Sequence, residues 1–407
     1  MNAQPQVTKT ALPSHVDPSR LVHFDMFNIE AVDEEYQKSI ARFHEPGIPD
    51  IFYTPENGGH WVFTRDEDIH YAFTHPELFS STLFFVPKEK NPDPPLYPMM
   101  SDAPDHPRLR ALLAPAFTPR MIMSLTDKAR SLAIQLIEGF KPTGGCEFMK
   151  EFAYVLPIAV FLGMVDLPES DRPMLQALSD QHVRPANPQE HIDSMTNLIA
   201  YAKDKLKERR ANPGDDLISF LIKARLDGKP LDEHMMAGMV VLLLLAGLDT
   251  VASLMGFFAR FLALSPPHRH QLIARPDLTG DAVEELIRRF GVANPGRVVM
   301  KDFDYKGVQF RAGDMLILVT VFTGLDDRKY ENPLEVNFER PVITHAAFGL
   351  GPHRCLGSTL ARAELRIFLE EWLPRIPEFA IKPGEHLQIS TGTVAGIHRL
   401  PLVWPAV

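Results

Sequence analysis

Phe348 to Gly357 reads Phe-Gly-Leu-Gly-Pro-His-Arg-Cys-Leu-Gly and carries Cys355, one of only two cysteines in 407 residues. Glycines at 349, 351 and 357 permit positive φ and close backbone approach, so the segment can fold tightly against something large and flat. The following residues, Leu356 to Leu373, set Leu360, Ala363, Leu365, Ile367, Phe368 and Leu369 among Arg and Glu, a pattern that predicts a helix. Cys355 then stands at that helix's N-terminus, where unpaired N–H groups and the dipole favour a thiolate over a thiol. A lone cysteine is more often a buried small hydrophobe. A lone thiolate flanked by glycines can instead be the axial ligand of a haem iron.

Three further groupings could do chemistry. Ala246-Gly247-Leu248-Asp249-Thr250 places an Asp and a Thr in an otherwise apolar helix, which is costly unless they are paired. Gly247 weakens the helix there, so a bulge with a free carbonyl fits; a satisfied Asp and a Thr bonding back to its own helix fit equally. Glu285 and Arg288 stand three apart on a predicted helix and can pair. His106 and Arg110 form His-x-x-x-Arg near a helix start. His268 and His270, beside two prolines, have poor spacing for a zinc site.

The elements that must position these residues are mostly helical. Helical patterns run from Val22 to Phe43, Asp66 to Thr74, Arg108 to Phe140, Met149 to Leu178, His191 to Asn212, Leu217 to Arg225, Pro266 to Ile273 and Gly280 to Phe290, with one very long apolar helix from Leu231 to Leu264. Asn57-Gly58-Gly59 between two β-favouring runs predicts a hairpin over Asp50 to Phe63. Short strands are expected at Arg297 to Met300, Gln309-Phe310, Met315 to Val321 and toward the C-terminus. The expected class is mainly α with small β-sheets. Val86 to Pro107 holds seven prolines and reads as an irregular segment, equally a flexible surface loop or, with Leu96 and Tyr97 among its apolar residues, a loop that covers a substrate.

Hydrophobic content of 45% and charged content of 23% suit a large core. A net charge of −10 argues against nucleic-acid or anionic-membrane binding. The cysteines Cys146 and Cys355 form no disulfide framework, which suits a reducing cytoplasm. Residues 1–20 read as a loose arm without a signal peptide, and 21–407 as a single domain. The apolar run Met235 to Leu248 is short of a membrane span and reads as a buried core helix.

Phe348, Gly351, Cys355 and Gly357 together fill a pattern that resembles the haem-binding signature of the cytochrome P450 monooxygenases. The resemblance extends from about Leu21 to Pro405 and is strongest to the bacterial camphor 5-monooxygenase group, through strings such as Asn57-Gly58-Gly59-His60-Trp61 and Gly247-Leu248-Asp249-Thr250-Val251. It implies a prism-like, mainly α fold with haem b between the long distal helix and the helix after the cysteine loop. It implies Cys355 as the iron ligand, with Phe348 and Gly357 beside it. Thr250 would hydrogen-bond the oxygen being activated and Asp249 would relay protons, while Ala246 and Gly247 would leave room for the oxygen. His106, Arg110, Arg297 and His353 would hold the propionates. Glu285, Arg288 and Arg340 would hold the fold. The pocket would be lined by Phe85, Leu242, Leu245, Val292, Asn294, Thr393 and Val394, with Asn294 or Thr393 as polar handles. Where the camphor enzyme has an anchoring tyrosine, this chain has Pro94, and Tyr97 is the nearest substitute.

The implied function is hydroxylation of a compact hydrophobe, a terpenoid or an ionone-like norisoprenoid, using O2 and electrons from NADH through a flavin reductase and a [2Fe–2S] ferredoxin. The ferredoxin would dock on the cysteine side near Arg110 and Arg354. Two other readings are a peroxide-driven peroxygenase and a non-catalytic haem sensor; the Asp249-Thr250 pair argues against both.

Overall fold

The structure is a computed structural model and describes residues 10–29, 32–183, 187–341 and 343–405. Among these residues are fourteen α-helices. The first seven are α1 Val32–Ala41, α2 Asp66–Thr74, α3 Asp105–Leu113, α4 Pro119–Phe140, α5 Val155–Val165, α6 Arg172–Val183 and α7 Pro188–Ala211. Then come α8 Leu217–Lys223, α9 Glu233–Leu248, α10 Thr250–Leu264, α11 Pro266–Ala274, α12 Thr279–Arg289, α13 Val321–Leu325 and α14 Ser358–Arg375. The buried apolar side chains make one connected cluster. The mainly α expectation holds.

The central pair α9 and α10 is apolar nearly all round, because helices α5, α6, α7 and α14 pack about it. By length and composition Glu233–Leu264 could cross a membrane, yet most of it is buried within the fold. The single long helix expected here is broken at Asp249, whose φ of −123° is not helical. The pattern of apolar residues runs through the break unchanged, so periodicity alone could not find it.

The Asn57–Gly59 turn forms as expected: all three residues have positive φ, and Ile51–Thr54 pairs antiparallel with His60–Phe63. These strands do not stay a separate N-terminal sheet. His60–Phe63 pairs parallel with Met315–Ile317, which pairs with Gly296–Val299 and through it with Phe79–Ser80. The five-stranded sheet therefore joins the two halves of the chain. Two other expectations change. Residues 22–29 are extended and turned, so the helix expected from Val22 begins only at Val32. The loose arm does not extend over residues 10–20: Val16 is buried, and the Thr10 amide donates to the Pro55 carbonyl at 3.0 Å. Residues 1–9 of that arm lie outside the described residues.

Glu285, Arg288 and Arg340 meet in the core. Arg288 donates twice to the Glu285 carboxylate, at 2.7 and 2.8 Å, and Arg340 reaches the same carboxylate at 3.1 and 3.2 Å. The rest of the Arg288 guanidinium ties down the carbonyls of Gly324, Pro333 and Glu335. A charge pair with no solvent exposure survives because every lone pair and N–H is met. The irregular residues 331–340 before the cysteine loop are held by this cluster.

Candidate active site

The cysteine loop is closed by its own backbone. The Cys355 amide donates to Phe348 O at 2.8 Å, and the Gly349 amide to Ala346 O at 2.7 Å. Gly349 and Gly351 sit at φ near +65°, where a side chain is strained. A methyl group on Gly351 would also lie 2.6 Å from the Phe73 carbonyl, so α2 packs directly on the loop. Gly357 is different. Its φ is −79°, and a methyl group there would make only ordinary contacts, 3.8 Å to Phe117 and 3.9 Å to the Cys355 sulfur. Neither backbone nor packing demands glycine at 357; a flat group beside the sulfur would. Phe348 packs under the Arg362 guanidinium at 4.5 Å.

Cys355 is open to solvent by area, yet burial is the strongest influence on its thiol. A side chain that is both accessible and deep faces an interior space. Burial raises the thiol's pKa; the Gly357 and Ser358 amides and the charges of Arg110 and Arg362 pull the other way without overcoming it. The helix N-terminus alone therefore does not make the thiolate expected from sequence. A metal cation at the sulfur would.

On the distal side, Leu242, Leu245, Ala246, Gly247 and Thr250 are partly or fully accessible, while Val240, Val241, Leu243, Leu244 and Leu248 are buried. The accessible positions recur every three to four residues in the middle of a core helix, so that stripe also faces an interior space. Thr250 Oγ1 donates to the Ala246 carbonyl at 3.2 Å. The break falls two residues beyond Gly247, at Asp249, and the threonine bonds back to its own helix, so the carbonyl is not free. Gly247 does not make room for oxygen through its missing side chain: a methyl group there would strike the Phe161 ring of α5 at 2.7 Å, so packing requires this glycine. Asp249 is buried at the break.

The four expected cationic positions converge. The His106 and His353 rings stack with centroids 3.8 Å apart. Arg297 is buried beside them, its guanidinium over Phe73 at 5.3 Å and donating to the Gly296 carbonyl at 2.7 Å. Burial pushes Arg297 down to about 10. It pushes His353 down to about 2, helped by the charges of Arg297, His106 and Arg110. The one carboxylate that opposes this in both Arg297 and His106 is Asp102, which already accepts from Ser80 Oγ and the Ser81 amide. Concentrated positive charge with so little to balance it fits a doubly anionic group, as two propionates would be. Together with the accessible sulfur and the unexplained glycine, the residues present fit a haem.

Phe85, Leu96 and Val292 are buried, and Thr393 and Val394 are partly accessible. Residues 292–295 and 393–395 are zipped by the Asn294 and Ala395 amides, each at 2.9 Å from its carbonyl. The two polar positions Asn294 and Tyr97 are placed differently. The Asn294 side-chain NH2 donates to the Gly392 carbonyl at 2.6 Å, holding the neighbouring turn, while its Oδ1 has no hydrogen-bond partner among the described residues. The Tyr97 hydroxyl has its pKa raised by burial and by the carboxylates of Asp232, Asp105 and Asp93, which places it at the outer rim where α3 and α9 begin. Pro94 and Pro95 instead lie on α9 itself, with the Pro95 carbonyl 2.2 Å from where a methyl group on Gly238 would be. His268 and His270 serve separate structural bonds, to Val336 O and Glu378.

Gly238 and Glu364 belong to no motif, yet the structure gives each a place: Gly238 against Pro95 and Glu364 in the core. Both were visible as misfits: a glycine inside an apolar helix, and a glutamate three after Ala361 and four before Phe368 on the core side of α14.

An accessible cysteine at a helix start, an anion cradle and a broken apolar helix define a haem-thiolate oxygenase. The cytochrome P450 family profile matches residues 160–397. The chain is 33% identical over 408 residues to a probable cytochrome P450 127A1 of Sinorhizobium fredii, covering 98% of each. It is 30% identical to a vitamin D(3) 25-hydroxylase of Pseudonocardia autotrophica, covering 85% of this chain and 88% of the relative. The solved structure of CYP101J2 superposes with a TM-score of 0.89 at 35% identity, covering 97% of this chain and all of the other. That of CYP101C1 does so at 0.88 and 34%, with the same coverage. The chain belongs to the cytochrome P450 family and is a haem-thiolate monooxygenase.

Proposed function

We propose that this enzyme hydroxylates a compact hydrophobic molecule, a terpenoid or an ionone-like norisoprenoid, in the cytoplasm with electrons from a [2Fe–2S] ferredoxin and its NADH-dependent flavin reductase. The observation that carries the substrate class is the pocket wall. Phe85, Leu96, Leu242, Leu245, Val292 and Val394 are apolar, and Pro94 and Pro95 press the covering loop onto α9. That geometry suits a short, rounded molecule better than a long chain.

The haem, when bound, supplies O2 activation and transfer of one oxygen atom into a C–H bond. Cys355 Sγ would hold the iron, and His106, Arg110, Arg297 and His353 would hold the propionates. Thr250 spends its only proton on the Ala246 carbonyl, so it presents lone pairs to the pocket and orients a proton-bearing neighbour such as water. Asp249, buried one residue earlier at the break, passes protons toward that site. The apolar walls keep other water away from the bound substrate.

The test is an optical titration of the ferric protein with camphor, cineole, ionones and a fatty acid. A compact terpenoid that displaces water from the iron shifts it to high spin; this is expected for ionones. A shift with the fatty acid alone overturns the substrate class.

A further inference from the structure

Two glutamates stand side by side on α12 and face different elements. Glu285 enters the core cluster described above. Glu284 turns to α14, where its carboxylate takes a forked pair of bonds from Arg362, 2.5 Å from Nε and 3.0 Å from Nη2. The His345 ring, from the chain just before the cysteine loop, reaches the same carboxylate at 3.5 Å. Arg362 and His345 flank one residue, Phe348. The guanidinium lies over its ring at 4.5 Å, and the imidazole centroid is 6.3 Å from the ring centre. The Phe348 carbonyl in turn accepts from the Cys355 amide.

Arg362 also leans back along its own helix, its Nη1 donating to the Ser358 carbonyl at 3.4 Å. Side chains on a helix slant toward its N-terminus, so this charge sits beside the first turn, whose Gly357 and Ser358 amides point at the Cys355 sulfur. Two arginines thus place positive charge near the ligand, and they are held differently. Arg110 is held by a neutral group, the Arg354 carbonyl. Arg362 is held by an anion. Burial opposes ionisation of Glu284, yet the bonds and charges of His345 and Arg362 bring its carboxyl down to about 2, so the anion is present at neutral pH. An ion pair as open as this one, 29% and 32% exposed, adds little to stability. Its effect on the charge felt at the sulfur remains.

We propose that Arg362 and Glu284 set the electron affinity of the haem on Cys355. The guanidinium favours the reduced iron, which carries one positive charge fewer, and the carboxylate moderates that pull. Reduction is Fe(III) plus one electron to Fe(II), the electron coming from the proposed ferredoxin in turnover and from dithionite in the test. Neither residue touches the sulfur, so both are positioning residues that act through the field and through Phe348. Thiolate ligation by Cys355 is all that this requires; the identity of the substrate does not enter.

The experiment is a potentiometric titration of the substrate-free holoenzyme with dithionite, followed by the haem absorption. Glu284→Gln is expected to raise the reduced-to-oxidised ratio at a fixed potential about fivefold, which is about 40 mV at 59 mV per tenfold for one electron. Arg362→Gln is expected to lower it by a similar factor, and the double variant to return within about twofold of wild type. Arg362→Lys, which keeps the charge and loses the planar fork, is expected to stay within about twofold of wild type. Opposite signs are the mark of charge. A strut between α12 and α14 would shift both single Gln variants the same way or not at all, and either result overturns the assignment. So does a Lys variant that shifts as far as Arg362→Gln. The thiolate-type carbon monoxide band is expected in all four variants. Its loss from Glu284→Gln would make the pair a fastening of the cysteine loop and overturn the assignment too.

Discussion

Cys355 lies where two influences oppose each other: depth raises its pKa, while two amides and two arginines lower it. Cys355→Ala is expected to remove the thiolate-type carbon monoxide band entirely; a band that persists would point to another ligand. Thr250 matters for a different reason. With its proton on Ala246 O it tidies the helix break and still offers an acceptor to the pocket. Thr250→Ala is expected to leave substrate binding intact while NADH consumption separates from product and peroxide accumulates. Unchanged coupling would refute its role. Glu364 belongs to neither. Its carboxyl is buried, and burial alone raises it to about 8 from 4.5. Between those values the folded protein keeps a proton that the unfolded chain has lost, so stability falls as pH rises through that window. Glu364→Gln cannot ionise. It is expected to melt at a higher temperature than wild type above pH 8, by at most about 5 kcal/mol of stability, and to match it near pH 5. A variant destabilised equally at both values would show that the carboxyl is needed for its shape.

Among the elements, the cluster of Glu285, Arg288 and Arg340 fastens α12 to the irregular chain before the cysteine loop. Removing the carboxylate strands the buried Arg288 guanidinium and takes a partner from the partly exposed Arg340. Glu285→Ala is expected to cost about 3–5 kcal/mol in urea unfolding and to lower haem retention with it. Loss of haem without loss of stability would assign the cluster a direct role at the cofactor. Elements defined by neighbouring residues were readable in the sequence. The Asn57–Gly59 turn needs only its own three residues, and α14 announces itself by period. The break at Asp249 was legible only as a polar intrusion, because the apolar pattern runs through it unchanged. The orientations of Asn294 and Tyr97 were hidden for a related reason. A residue type says what a side chain can bond, while the turn at Gly392 and the carboxylates at Asp232 and Asp105 decide where it points.

For the whole molecule, charge and topology pull in separate directions. The net charge of −10 repels an acidic partner at long range, so docking of the proposed ferredoxin depends on local cations such as the exposed Arg354. The KM for ferredoxin is expected to rise several-fold between about 50 and 500 mM salt, with kcat little changed. Salt-independent turnover would argue for an apolar docking face. Topology has a consequence for synthesis. Trp61 lies opposite Leu316 in a parallel pair, and the cationic cradle takes His106 from one half of the chain and Arg297 and His353 from the other. On the ribosome the first hairpin waits, an open edge, through most of translation, and the cradle has only one wall. Cofactor capture is therefore an event of the finished polypeptide. Until then the hairpin's exposed strand is the nascent chain's point of danger, and chaperone occupancy should concentrate there.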